Sequence, residues 1–361
     1  MRNFYSSHAV AALCIIGTLM VYGMEAAFLV LVLAVLEISL SMDNAVVNAG
    51  VLKSMTAVWQ KRFMTWGILV AVFGMRLVFP ILIVAFATDL NVRDVMSMAL
   101  NNPGQYSHHL NAAHPLIASF GGMFLLMVGL SFLLDEGRDV FWIRRIEKRL
   151  QVLGKIDDVN TTIALIVLMV IDVLTPESTD SPVLTGGIWG IFLYGMVSSL
   201  DSLFSVSDDE QSITEIAQRG GLIAFLYLEI LDASFSFDGV IGAFAITQDL
   251  PVIMLGLGMG ALYVRSLTVY LVKKGTLDEY IYLEHGAHYA ILALAILMLA
   301  SILHAIPEAV TGLTGATLIG LSLLSSIRHN KCQSLSTPES LKQRYPHLHN
   351  KFNYLKEKLW Q

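Results

Sequence analysis

The stretch EISLSMDNAVVN, residues 37–48, sets two carboxylates and two hydroxyls in a run otherwise built largely of Leu, Val and Ala, and DASFSFDGVIG, residues 232–242, repeats it. Laid over each other without a gap, Glu37 falls on Asp232, Ser39 on Ser234, Ser41 on Ser236 and Asp43 on Asp238, so acid-x-Ser-x-Ser-x-Asp occurs twice. An ionised carboxylate at membrane depth is costly and marks an ion pathway by default, so a repeated set of them points to an ion-handling site.

Membrane depth follows from composition. The chain has 361 residues, 55% of them hydrophobic and only 14% charged, with a mean hydropathy of +0.65, which excludes a soluble domain of ordinary make-up. A bilayer core needs roughly 17–25 apolar residues per helical crossing. On that scale ten spans are expected, near 8–23, 26–47, 63–88, 115–134, 160–175, 184–200, 220–246, 251–272, 287–303 and 308–327. The expected fold class is therefore all-α, a polytopic helix bundle. Arg2, the apolar stretch 9–20 and Ala26–Ala27 have the outline of a signal peptide, but Glu25 and the helix that follows at once argue for a retained span. Cys14 and Cys332 have neither disulfide-framework nor zinc spacing.

Placing the N-terminus on the side of the loops after spans two, four, six and eight collects all but three of the 23 Lys and Arg there. Arg93 falls on the other side, and Arg76 and Arg265 fall inside spans. The positive-inside rule then puts both termini in the cytoplasm. The two acidic segments, five crossings apart, enter from opposite sides, so the repeats are inverted. Further echoes support this: GILVAVFGMR (67–76) resembles GLGMGALYVR (256–265), each ending in an arginine, and the stretch around His114 resembles that around His288. The expected organisation is a first transmembrane half, 1–134, with its repeat from about 25; a basic cytoplasmic linker, 135–159; a second half, 160–327, with its repeat from about 220; and a basic cytoplasmic tail, 328–361. Inverted repeats with interrupted helices and midplane sites are a recurring transporter plan.

A regular helix turns 100° per residue, so Glu37 and Asp43 cannot share one ligand across it. Asn44 and Gly239 follow the aspartates and tolerate irregular backbone, so a helix break is expected there, aiming carboxylates and carbonyls at one cavity. The donor set is all oxygen, which suits Mn²⁺, Mg²⁺ or Ca²⁺ better than Zn²⁺ or Cu⁺. Four acids, Glu37, Asp43, Asp232 and Asp238, set against Arg76 and Arg265 leave two negative charges for one divalent ion, if both arginines reach the site. Asn44 joins the expected ligands, and Glu229, three residues before Asp232, extends the site or carries a coupled proton. Ser39, Ser41, Ser234 and Ser236 are auxiliary ligands or, on the second reading, packing residues bonded to their own helices. Glu284, His285 and His288 offer a secondary metal site or a helix-start cluster, with a weak echo in His108, His109 and His114. Asp208, Asp209 and Glu210 read as a cation-gathering mouth or a solvated run, and Asp172 carries the same two readings. The tail, with Phe352, Leu355, Leu359 and Trp360 among lysines, reads as a helix on the anionic leaflet, making membrane lipids a partner.

EISLSMDNAVVN with GMRLVFP, and FLYLEILDASFSFDGVIGAFAIT with YLEHGAHYAI, resemble the bacterial TerC-type integral membrane proteins over roughly residues 25–325. That family takes its name from tellurite resistance, and its members are similar to manganese exporters of a wider exporter superfamily. The resemblance implies a multi-pass protein of the bacterial inner membrane whose motif acids are Glu37, Asp43, Asp232 and Asp238, with Asn44 beside the first pair. Gly239, where a serine is usual, and the His-containing GAHYAI stretch depart from the commoner pattern. The leading expectation is a non-enzymatic secondary transporter, without a resident cofactor, exporting Mn²⁺ or a similar ion by alternating access against a proton flux. Two alternatives belong to other classes. A scaffold of an envelope or metal/tellurite stress complex would tolerate neutralised acids, whereas an intramembrane aspartyl hydrolase would need the YD and GxGD patterns that SMDN and SFDG lack. Nucleic acid is not an expected partner, because the basic residues follow membrane topology.

Overall fold

The computed structural model describes residues 4–88, 90–175, 181–205, 213–247 and 249–336. All regular structure among them is helical: α1 (Tyr5–Leu40), α2 (Met42–Ser54), α3 (Ala57–Arg62), α4 (Phe79–Thr88), α5 (Val92–Asn101), α6 (Pro103–Ala112), α7 (His114–Leu134), α8 (Arg144–Leu153), α9 (Val159–Leu174), α10 (Pro182–Ser205), α11 (Ile213–Ile246), α12 (Leu250–Lys274), α13 (Thr276–Glu279), α14 (Leu283–Ser301) and α15 (Glu308–Ser336). Between α3 and α4 the chain widens into π-helical turns at Phe63–Gly67 and Val70–Val78.

Six of these helices are long and apolar enough to cross a membrane, and a seventh span is counted if the pair Ala57–Gly67 and Val70–Phe86, bent by 44°, is taken as one. This is fewer than the ten crossings the sequence predicts. The apolar helix α9 has only 16 residues, and α1 counts once although it is two helices. Gly23 interrupts α1 with φ +87°, ψ −176°, a conformation close to glycine-only. Before the break Ser7 bonds Ser266 at 2.7 Å and Phe4 meets Tyr270; after it Leu33 lies against Gly256 and Glu37 against Gly260. The first half thus runs antiparallel to α12 and the second parallel to it, so the chain doubles back at Gly23. A straight helix of this length would span roughly 50 Å, far too long for both ends to meet the same few turns of α12.

Small residues decide the packing. A Cβ at Gly256 would fall 2.6 Å from Leu33 Cβ and one at Gly260 2.5 Å from Glu37 Cβ, so the G-x-x-x-G of α12 is the groove that receives the second half of α1. Gly186 and Gly190 do the same for α10, whose added Cβ atoms would strike the backbone oxygens of Leu116 and Phe120 on α7. The principal pairings are α1 with α12, α7 with α10 and with α14, and α14 with α15; α2 packs on α12, and the π-helical segment 70–78 on both α12 and α11. Their outer faces are apolar, as at Leu13, Met20, Trp189, Phe192 and Val173, which suits lipid contact.

Chain termini of the helices follow local chemistry. Asp249 accepts the Val252 amide at 3.3 Å with Pro251 in the first turn of α12, and Gly275 at φ +64° ends that helix. The linker, read as a loop from sequence, contains the amphipathic helix α8. Its Glu147 is fully buried, and its carboxylate accepts the backbone amides of Trp142 and Ile143 at 3.2 and 2.9 Å.

Candidate functional site

Glu37 occupies the last turn of α1, pressed into the α12 groove and 2% exposed. Its Oε1 accepts the Ser41 hydroxyl at 2.9 Å and the Arg76 guanidinium, which in turn donates to the Ala71 carbonyl. Gly239 on α11 approaches the same carboxylate from the other motif, since a Cβ there would lie 3.0 Å from Glu37 Oε2. The helix break expected at Asn44 and Gly239 is corrected on both counts. The interruption falls at Ser41, between α1 and α2, and α11 runs unbroken through Gly239. Glycine serves there for close approach, not for irregular backbone.

Asp232, 7% exposed on α11, forms the second centre. Its Oδ1 accepts the Asn44 amide at 2.5 Å, a direct bond from the first motif to the second, and its Oδ2 lies 3.5 Å from Arg265 Nη2. The same nitrogen bonds both oxygens of Glu229, at 3.1 and 3.2 Å, while Nη1 donates to the Phe63 carbonyl at 3.2 Å. The Arg265 guanidinium lies 4.0 Å over the Phe63 ring, and Gly67 leaves it room, because a Cβ at Gly67 would fall 2.3 Å from Nη1. Each acidic motif is therefore paired with an arginine of its own half: Glu37 with Arg76, and Glu229 and Asp232 together with Arg265, which offsets one of their two charges. Buried charges persist only when paired and hydrogen-bonded, as these are.

The remaining expected residues divide. Ser41 is in the site. Ser39 is exposed and bonds the Val35 carbonyl, and Ser234 bonds that of Ile230, so both follow the packing reading. The side chains of Asp43, Ser236 and Asp238 lie outside the described set, as do Asp208, Asp209, Glu210 and the tail from 337. Among the described residues no group of three or more His, Cys, Asp or Glu is placed to hold a metal.

Glu284, His285 and His288, the secondary metal candidates, are accordingly not gathered into a three-ligand cluster. His285 Nε2 donates to the Val140 carbonyl at 2.9 Å, which commits that nitrogen's proton, and stands 3.6 Å from Glu147. His288 Nδ1 donates to the Glu284 carbonyl at 2.9 Å, and its ring lies flat on Phe132, centroids 3.7 Å apart. His285 thus ties α14 to Glu147 of α8, while His288 packs on α7. His114 contacts Ser301 at 3.3 Å, and Asp172 accepts the Ser181 hydroxyl at the start of α10. Sequence reading passed over Asn48, buried in the first motif, and Glu147; the i+4 spacing of Asn48 from Asn44 is the signal that could have found the former.

No curated protein and no solved structure matches the chain. Residues 42–333 match a family described as "Protein of unknown function (DUF475)". That stretch begins at the first residue of α2, takes in both Asn44 and the whole of α11, α12 and α14, and covers most of the sequence, so the protein belongs to the DUF475 family.

Proposed function

We propose that the protein is a secondary transporter that exports a hard divalent cation, Mn²⁺ foremost, through a midplane carboxylate site by alternating access, with a proton as counter-ion. The observation that carries this reading is the pair of buried arginine–carboxylate centres joined across the two motifs by the Asn44–Asp232 bond and the Gly239–Glu37 approach. Glu37, Asp43, Glu229, Asp232 and Asp238 set against Arg76 and Arg265 leave three negative charges when all are ionised, which one divalent ion and one proton balance. All the ligand atoms are oxygens, the preference of Mn²⁺, Mg²⁺ and Ca²⁺.

Reciprocal packing supports inverted repeats. The motif helix of each half lies against the arginine-bearing element of the other, α1 on α12 and α11 on the segment 70–78, while α7 and α14 pair as counterparts. The charge asymmetry of the loops supports cytoplasmic termini in an inner membrane, and the TerC-type motifs support the manganese assignment. In the mechanism, Asn44 and Ser41 orient the carboxylates, the arginines offset part of their charge when no ion is bound, and protonation of Glu37 or Asp232 discharges the ion. Mn²⁺ flux into proteoliposomes, compared among wild type, Asp43→Asn and Asp238→Asn, tests the reading: both variants are expected to lose flux. Equal flux in all three would overturn it and leave a scaffold, for which the acids are dispensable.

A further inference from the structure

Asn48 closes the first motif but takes no part in the two centres, yet it is 2% exposed and its Oδ1 has no hydrogen-bond partner. A buried amide oxygen left without a donor is a cost to the fold, and native structures retain few of them without a use. Helix periodicity sets Asn44, Asn48 and Val51 in one row along α2, at i, i+4 and i+7. At one end of the row Asn44 holds Asp232. At the other, Val51 and Ser54 wall a cavity of about 280 Å³ between α2, α10 and α11. Tyr194, Ser198 and Tyr227 line that cavity and also a second one of about 780 Å³, so the two share a wall of hydroxyls. The larger cavity carries exposed Asp135, Glu136, Asp157 and Asp158, from the two ends of the linker.

From this sequence of features we infer that the two cavities form the access path of a divalent cation from the linker side, and that Asn48 Oδ1 is the ligand which receives the ion between that path and Asp232. The inference rests on the transport reading and extends it. The carboxylates concentrate a cation at the wide end. The hydroxyls stand in for part of its hydration shell. The buried carboxamide oxygen, which no protein donor holds, gives a hard ion a ligand without first breaking a protein hydrogen bond.

Mn²⁺ titration of the purified full-length protein, read by calorimetry, tests the inference in wild type, Asn48→Leu, Asn48→Asp and Asp232→Asn. The expected result is at least a roughly tenfold weaker affinity in Asn48→Leu, near wild-type affinity in Asn48→Asp, and no binding in Asp232→Asn. Wild-type affinity in Asn48→Leu with loss in Asp232→Asn would overturn the inference, a water then satisfying Asn48, and leave the transport reading standing. No Mn²⁺ binding by wild type would overturn both. Should Asn48→Leu not fold, the path is decided by Ser198→Cys in a Cys14→Ser/Cys332→Ser background. Mn²⁺ is expected to slow its modification by a charged thiol reagent severalfold, and unchanged modification overturns the path.

Discussion

Removing one partner of the Glu37–Arg76 pair strands a charge in the buried interior of the protein. Both side chains are 3% exposed or less, and breaking a buried pair in this way costs about 3–5 kcal/mol. The two single variants differ. In Arg76→Gln the Glu37 carboxylate keeps the Ser41 hydroxyl, which places it near the lower end. In Glu37→Gln the guanidinium keeps the Ala71 carbonyl and the new amide oxygen but loses its counter-charge, and its Nε already lacks a protein partner, which places it near the upper end. The double variant replaces both charges by amides able to bond each other and is expected to recover all but about 1–2 kcal/mol. The coupling between the two sites, the two single losses taken together less the loss in the double, is then about 6–7 kcal/mol. Thermal unfolding of the purified full chain at one scan rate, followed by tryptophan fluorescence, should show the single variants lowered by roughly 5–15 °C and the double close to wild type. Additive losses, or an Arg76→Gln protein as stable as wild type, would refute the pairing.

Two further outcomes follow from crowding and from the linker. Gly260→Ala, whose Cβ would meet Glu37 Cβ at 2.5 Å, is expected to lower the same melting temperature by several degrees, whereas Gly50→Ala, with nothing within 4 Å, should be neutral or gain up to about 1 kcal/mol in helix propensity. Glu147→Ala removes the acceptor of two backbone amides and the neighbour of Arg138 and His285. It should free α8, read as faster tryptic cleavage at Arg144, Arg145, Lys148 and Arg149; an unchanged cleavage rate would show that other contacts hold the helix.

The apolar runs made the helices legible, because burial in lipid demands length and apolarity that few other structures share. The repeated acids and the two in-span arginines were legible for the same reason: a charge at that depth needs a partner, and the partner proved to be the arginine of the same half. What escaped the sequence depended on who sits opposite. Ser39 and Ser41 are two residues apart in one motif, yet a rotation of about 200° along the helix turns one outward and the other onto Glu37. Gly239 sits where a break is allowed, but only the proximity of Glu37 Oε2 explains why no side chain is placed there. The histidines of α14 have metal-ligand spacing, and only the structure shows which carbonyls, Val140 and Glu284, take one ring nitrogen of each. The reversal at Gly23 was partly legible: the break between spans one and two was expected, though its single-residue geometry was not.

The two arginines share an anchor that gives the proposed mechanism a moving part. Arg76 donates to the Ala71 carbonyl and Arg265 to the Phe63 carbonyl, and both carbonyls belong to the π-helical stretch between α3 and α4. Its turns are wider than those of an α-helix and occur mostly where function requires a local change in winding, and the element is bent by 44° along its length. Were each guanidinium held by a separate rigid helix, uncovering Glu37 and Asp232 for an incoming ion would take two independent motions. In the proposed mechanism, a single change in the winding of this one bent segment would shift Arg76, which it carries, and break the Phe63 bond of Arg265, which it only anchors. Gly67 lies within that segment, against Arg265 and Glu229, so the stretch that binds the second arginine also has no side chain to obstruct it. The segment that carries one balancing arginine and anchors the other is thus the element whose deformation the proposed alternating access would use to expose the acids.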